Sequence, residues 1–138
     1  MLRSILAIIA GSVTWAVTAL GADGILMTAF PAWFGEGGRV ESVPVLLLMM
    51  FYSLAFSVLG GYVAAWLARR AKVKHAFVLG VLQLAMGCVA SYQMWDTAPA
   101  WWHLTFLPLV LLANVLGGLL RASRKRGPTA TAERLRAA

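Results

Sequence analysis

A chain of 138 residues is long enough for one domain. Its residues are 61% hydrophobic and 12% charged, whereas soluble proteins run near 45–50% and about 25%; this excludes a disordered chain and argues strongly against a soluble globule. The single cysteine excludes a disulfide framework and any Cys-based metal centre within one chain.

Residues 4–22, 42–68, 75–95 and 97–120 carry no formal charge, and each run exceeds the ~18 residues that mark a spanning helix. The alternation a β-barrel needs is absent, so the expected fold is all-α: a four-transmembrane-helix bundle, antiparallel and up-down. The start Met-Leu-Arg with a following apolar run has features of a signal peptide, Ala19-Leu20-Gly21 being its cleavage candidate. Its apolar core is longer than the usual 7–15 residues, so it is read as helix 1. Helix 1 is predicted over about 4–22, with Pro31 as the outer limit of a longer helix. A glycine-rich connection follows. Helix 2 is predicted over 44–68, opened by Pro44 in its first turn. A short basic turn leads to helix 3 at 75–95, and the short link Asp96–Ala100 makes helices 3 and 4 antiparallel neighbours. Helix 4 is predicted over 101–120, kinked where Pro108 frees the carbonyl of Leu104. The domain thus ends at 121, and 122–138 form a basic cytoplasmic tail.

Charge placement sets the orientation. With the N-terminus inside, every basic residue except Arg39 falls on the cytoplasmic side, while Asp23, Glu36, Glu41 and Asp96 fall outside. This is the positive-inside pattern for N-in, C-in topology. The net charge of +7 therefore reads as orientation, with no nucleic-acid partner expected. Trp33, Trp95, Trp101 and Trp102 lie at the outer interface and Trp66 near the inner one, as amphipathic rings prefer.

Small residues mark packing surfaces. Ser53, Ser57, Gly61 and Ala65 recur every four positions on helix 2, and Gly60 widens the stripe. Gly80 and Gly87 on helix 3 and Gly117 and Gly118 on helix 4 offer similar places. Such positions let backbones approach, because lipid supplies no hydrophobic drive for association. They serve either the bundle itself or contact with another subunit. A faint repeat, Val58-Leu59-Gly60-Gly61 and Val115-Leu116-Gly117-Gly118, suggests two related hairpins.

A few polar residues fall within the spans. At 1.5 Å per residue, Gln83 lies about 13 Å from the inner boundary, and Tyr62 and Asn114 about 10 Å. These three are expected to share one layer, as interhelical glue or as part of a polar-solute site. Asp23 lies at the outer edge of helix 1, solvated if the helix stops near 22 and partly buried if it continues. His75 and His103 open helices at opposite faces and cannot clamp one metal or haem; Cys88 is read as a small packing residue. No catalytic residue, cofactor site or metal site is expected. Arg121, Arg124, Lys125 and Arg126 follow helix 4 and are placed against anionic lipid or a cytoplasmic partner. The tail beyond Pro128 is expected to order only on such a surface.

Several segments together resemble a family of small, uncharacterised four-helix bacterial integral membrane proteins. They are Ala22-Asp23, the region of Tyr52, Leu59-Gly60-Gly61-Tyr62-Val63, Lys74-His75-Ala76-Phe77-Val78-Leu79-Gly80, Trp95, Pro99-Ala100-Trp101 and Leu116-Gly117-Gly118. The resemblance covers about residues 5–121 and implies the bacterial cytoplasmic membrane. Similar proteins often carry an arginine after the helix-2 tyrosine, able to pair with the helix-1 aspartate. Ser53 stands there in this chain.

The function expected from these features is non-enzymatic: a structural or accessory subunit of a larger membrane complex, in contact with the lipid bilayer and with other membrane subunits or copies of itself. The alternative is a small homo-oligomeric transporter or channel for a polar solute or ion.

Overall fold

The computed structural model describes residues 2–68 and 70–124. Four α-helices occur among them: α1 (Leu2–Ala29), α2 (Val43–Leu67), α3 (Lys72–Gln93) and α4 (Ala100–Ser123). Each is long and apolar enough to cross a membrane. Lys125, Arg126 and the rest of the expected tail lie outside the described residues.

The helix ends differ from the sequence expectation most at α1. It runs on to Ala29 instead of stopping at 22, because nothing before Pro31 breaks it: Gly21 and Gly24 are tolerated in a helix that no water competes to unwind. Pro31 then starts a 3₁₀ turn, and Gly37 and Gly38 adopt positive φ in the next one. Ser42 and Pro44 begin α2 as expected of a Pro-opened helix. The turn between α2 and α3 is tighter than expected. Ala71 takes a left-handed conformation, and α3 starts at Lys72, three residues before the predicted His75. Helix α4 continues through Pro108 as one element to Ser123, three residues past the predicted end.

Packing pairs define the topology. Gly11 meets Gly60 and Asp23 meets Tyr52, so α1 and α2 are antiparallel. Gln83 meets Asn114 and Ser91 meets His103, so α3 and α4 are antiparallel as well. The bundle is up-down-up-down. Helix α2 packs against the other three, most closely against α4, which runs parallel to it. The positions that let it do so are small. A Cβ on Gly11 would lie 2.7 Å from the Gly60 carbonyl oxygen, and one on Gly60 2.9 Å from that of Gly11. Ser53, Ser57, Gly60, Gly61 and Ala65 are all buried within the bundle. The α2 stripe is therefore spent on the protomer's own helices. The glycines of α3 and α4 are used the same way: Gly80 lies beneath Leu111 and Asn114, Gly87 beneath Leu107, and Gly118 beneath Ala76.

At the basic end lie Arg70 in the turn between α2 and α3, Lys74 of α3, and Arg121 and Arg124 at the close of α4. The opposite end is closed by the segment 30–42 and the 94–99 turn, which the bond from the Val40 amide to the Thr97 carbonyl (2.8 Å) ties together. Beneath them, Val40, Val45 and Leu46 form a small core with Phe34, Met49, Ala98 and Trp102. The indole of Trp102 donates to the Leu46 carbonyl at 3.3 Å.

Candidate functional site

Polar side chains within the bundle fall into three groups at successive levels. Nearest the basic end is Tyr62. Its hydroxyl accepts a hydrogen bond from Arg124 at 3.4 Å, and the guanidinium groups of Arg121 and Arg124 each lie 5.9 Å from its ring centre. The expected layer of Tyr62, Gln83 and Asn114 is thus incomplete. The phenol reaches toward the basic end and cationic partners, as amphipathic side chains do when one end of a membrane layer is wet.

Gln83 and Asn114 do meet. Asn114 is fully buried and Gln83 is 4% exposed. The Asn114 side-chain nitrogen donates to the Val110 carbonyl at 2.8 Å and to Gln83 Oε1 at 2.7 Å. This chain fixes both amides. The Val110 carbonyl only accepts, so Asn114 must present its nitrogen; that nitrogen in turn requires the oxygen of Gln83. Among the described residues the Gln83 Nε2 donor and the Asn114 Oδ1 acceptor are buried without a partner.

The third group lies toward the far end. Tyr52 on α2 donates to the carboxylate of Asp23 on α1. Asp23 is partly buried, because α1 continues past it for more than a turn and carries it alongside α2. The sequence expectation of a solvated carboxylate follows from too short a helix. Without an arginine at position 53, the tyrosine itself supplies the donor. On the α3–α4 side, His103 is 3% exposed, its Nδ1 lying 3.1 Å from Ser91 Oγ. The ring of Trp95 stacks on the imidazole and that of Trp102 meets it edge-on. Among the described residues His103 Nε2 has no partner, and neither has Trp15 Nε1.

Members of the last two groups border a cavity of about 340 Å³ that is lined by all four helices and roofed by the 34–40 segment. Most of its wall is apolar: Met27 from α1, Leu46 and Met49 from α2, and Phe106, Leu107 and Val110 from α4. Trp102 and Phe106, one helical turn apart, stack on each other with ring centres 4.9 Å apart. Asp23, Gln83, Ser91 and His103 also line it. The cavity arises because α1 and α3 touch near the basic end, where Gly11 faces Leu79, while farther along both contribute side chains to its wall. Its rim residues Met27, Ala90 and Met94 are exposed, whereas Gln83 and His103 are buried. The opening therefore lies along α1 and α3 and the polar groups lie within. No cluster of three metal-ligating side chains occurs among the described residues.

His103, Ser91 and Trp102 were not legible as site residues. A lone histidine in the first turn of an apolar helix looks interfacial, and only the fold of the 94–99 turn brings Trp95 over it. Of the arginines expected at lipid, Arg121 is half-buried beside Tyr62 with its Nε unpartnered; Arg124 is exposed.

The fold and site define a multi-pass helical membrane bundle with an internal, largely apolar cavity. Comparison with protein-family models, curated proteins and solved structures gives no match.

Proposed function

We propose that the chain is a non-enzymatic protein of a bacterial cytoplasmic membrane. Both termini lie inside, and it serves a larger membrane complex as an accessory subunit by holding a small amphipathic molecule in its cavity. The observation that carries the binding part is the state of Gln83 and His103. Each is buried on the wall of an apolar cavity with one nitrogen unpartnered, at a cost of roughly 1–3 kcal/mol per group. A bundle built only to be a scaffold gains nothing from that. A ligand that offers the missing partners, and fills a space of about 340 Å³, offsets it. Cavities of this size and composition suit small ligands.

The orientation rests on the basic residues gathered at one end of the bundle, and the bacterial membrane on the family resemblance. The accessory role rests on composition: five acids, two histidines and one cysteine leave the chain better equipped to bind than to react. A homo-oligomeric channel has less support, since Gln83 and Asn114 are enclosed within one protomer and do not face outward to a shared axis.

The test is isolation from native membranes in mild detergent, followed by native mass spectrometry. A small-molecule adduct that solvent extraction removes, together with co-purifying membrane subunits, is the expected result. A ligand-free monomer whose thermal stability no amphiphile raises would overturn the proposal.

A further inference from the structure

We infer that the cavity takes a neutral molecule with a planar ring bearing carbonyl oxygens, of the para-quinone type, the oxygens accepting hydrogen bonds from Gln83 and His103. The inference rests on the reading of the cavity as a ligand site and adds the chemistry of the ligand.

Three observations lead to it. The first is the polarity of the unpartnered groups. The Val110–Asn114–Gln83 chain leaves Gln83 a donor. Ser91 makes no bond to a backbone carbonyl among the described residues, unlike Thr14, Thr18, Thr28 and Ser57. Its hydroxyl hydrogen is thus available to His103 Nδ1; when it donates there, the imidazole carries its proton on Nε2 and that atom is a donor too. Trp15 Nε1, which only donates, also lines the cavity without a partner among the described residues. A wall of donors calls for a ligand that offers acceptors.

The second observation is their spacing. Gln83 and Ser91, the residue that holds His103, stand about 12 Å apart along α3. A ring with carbonyls at opposite corners is about 5 Å from oxygen to oxygen, and a hydrogen bond of about 2.9 Å at each end brings the span to about 11 Å. One ring lying along the helices thus reaches both levels.

The third is the wall between them. Trp102 and Phe106 stack on each other and both line the cavity, so a planar ring can extend that stack on an outer face, and the methionines of the wall are adaptable fillers. Among the described residues no lysine or arginine lines the cavity, and the one acid there, Asp23, already accepts from Tyr52. The chemistry favours a neutral ring over an anion. The rim along α1 and α3 is exposed on the side of the bundle, the side by which a molecule dissolved in a bilayer would enter.

The experiment uses the full chain in lipid nanodiscs and three probes. Tetramethyl-para-benzoquinone is followed by quenching of tryptophan fluorescence. Tetramethylbenzene, the same shape without oxygens, and tetraphenylphosphonium, a lipophilic cation, are followed by displacement of the quinone and by thermal shift. The parent protein is expected to prefer the quinone over the hydrocarbon by about tenfold or more, two hydrogen bonds contributing about 0.5–1.5 kcal/mol each. His103→Phe and, separately, Gln83→Leu paired with Asn114→Leu should each lower that preference about three- to tenfold while hydrocarbon binding persists. The paired change leaves no orphaned amide, so it tests recognition without first testing folding. Equal affinity for quinone and hydrocarbon in the parent would overturn the inference and leave an apolar ligand site standing. Stronger binding of the phosphonium would overturn it in favour of a cation at Asp23. Failure of all three probes to bind would remove the ligand site itself.

Discussion

Gly117 of α4 sits directly beneath the Val58 carbonyl of α2, and Gly61 of α2 sits in the same way beneath the carbonyl of Asn114 of α4. The two contacts are reciprocal, each glycine meeting the residue three positions before the other. The short Val-Leu-Gly-Gly repeat is therefore the place where two parallel helices cross, backbone against backbone. At such a distance even a methyl group displaces main chain. Gly117→Ala and Gly61→Leu should each destabilise the bundle, by about 1–3 kcal/mol or more. Gly21→Ala and Gly24→Ala, where a Cβ meets open space, should leave thermal stability in detergent unchanged or slightly raised. Equal effects at all four positions would separate the glycines from the crossing.

Tyr52→Phe removes the only hydrogen-bond donor the described residues give Asp23 and leaves its carboxylate partly buried without that partner. A loss of about 1–3 kcal/mol is expected. Asp23→Leu combined with Tyr52→Phe should recover part of it, because no polar group is then stranded. A double-mutant cycle in thermal unfolding measures the coupling; additive effects would mean the pair contributes no interaction energy.

The Gln83–Asn114 pair makes a parallel prediction. Gln83→Leu alone leaves the Asn114 amide in hydrocarbon with only the Val110 carbonyl, and should cost about 1–3 kcal/mol. Adding Asn114→Leu should bring stability back toward that of the parent. Membrane hydrogen bonds of this kind contribute about 0.6–2 kcal/mol, so the difference is within reach of chemical or thermal melts.

Orientation is read by labelling. In a Cys88→Ser background, Glu36→Cys should react with an impermeant maleimide from outside intact cells. Ser123→Cys should react only after permeabilisation. The reverse pattern would place the basic end outside.

The amino-acid sequence by itself determined that four helices are long and apolar enough to cross a membrane, where each lies to within a turn or so apart from the end of α1, and which residues are small enough to pack. Those properties are local and additive: an apolar run must become a helix wherever the backbone has no water to bond, and a glycine is small in any fold. Tertiary structure alone decided the rest. Extension of α1 by two turns moved Asp23 from the rim to a place beside Tyr52, and the reach of a phenol toward two arginines took Tyr62 out of the layer its depth suggested. His103 and Ser91 lie 12 positions apart, and nothing in either segment names the other. The cavity exists because α1 and α3 touch near one end and both line a gap farther along. Composition and periodicity carry no trace of that relation, since it belongs to the space between helices rather than to any one of them.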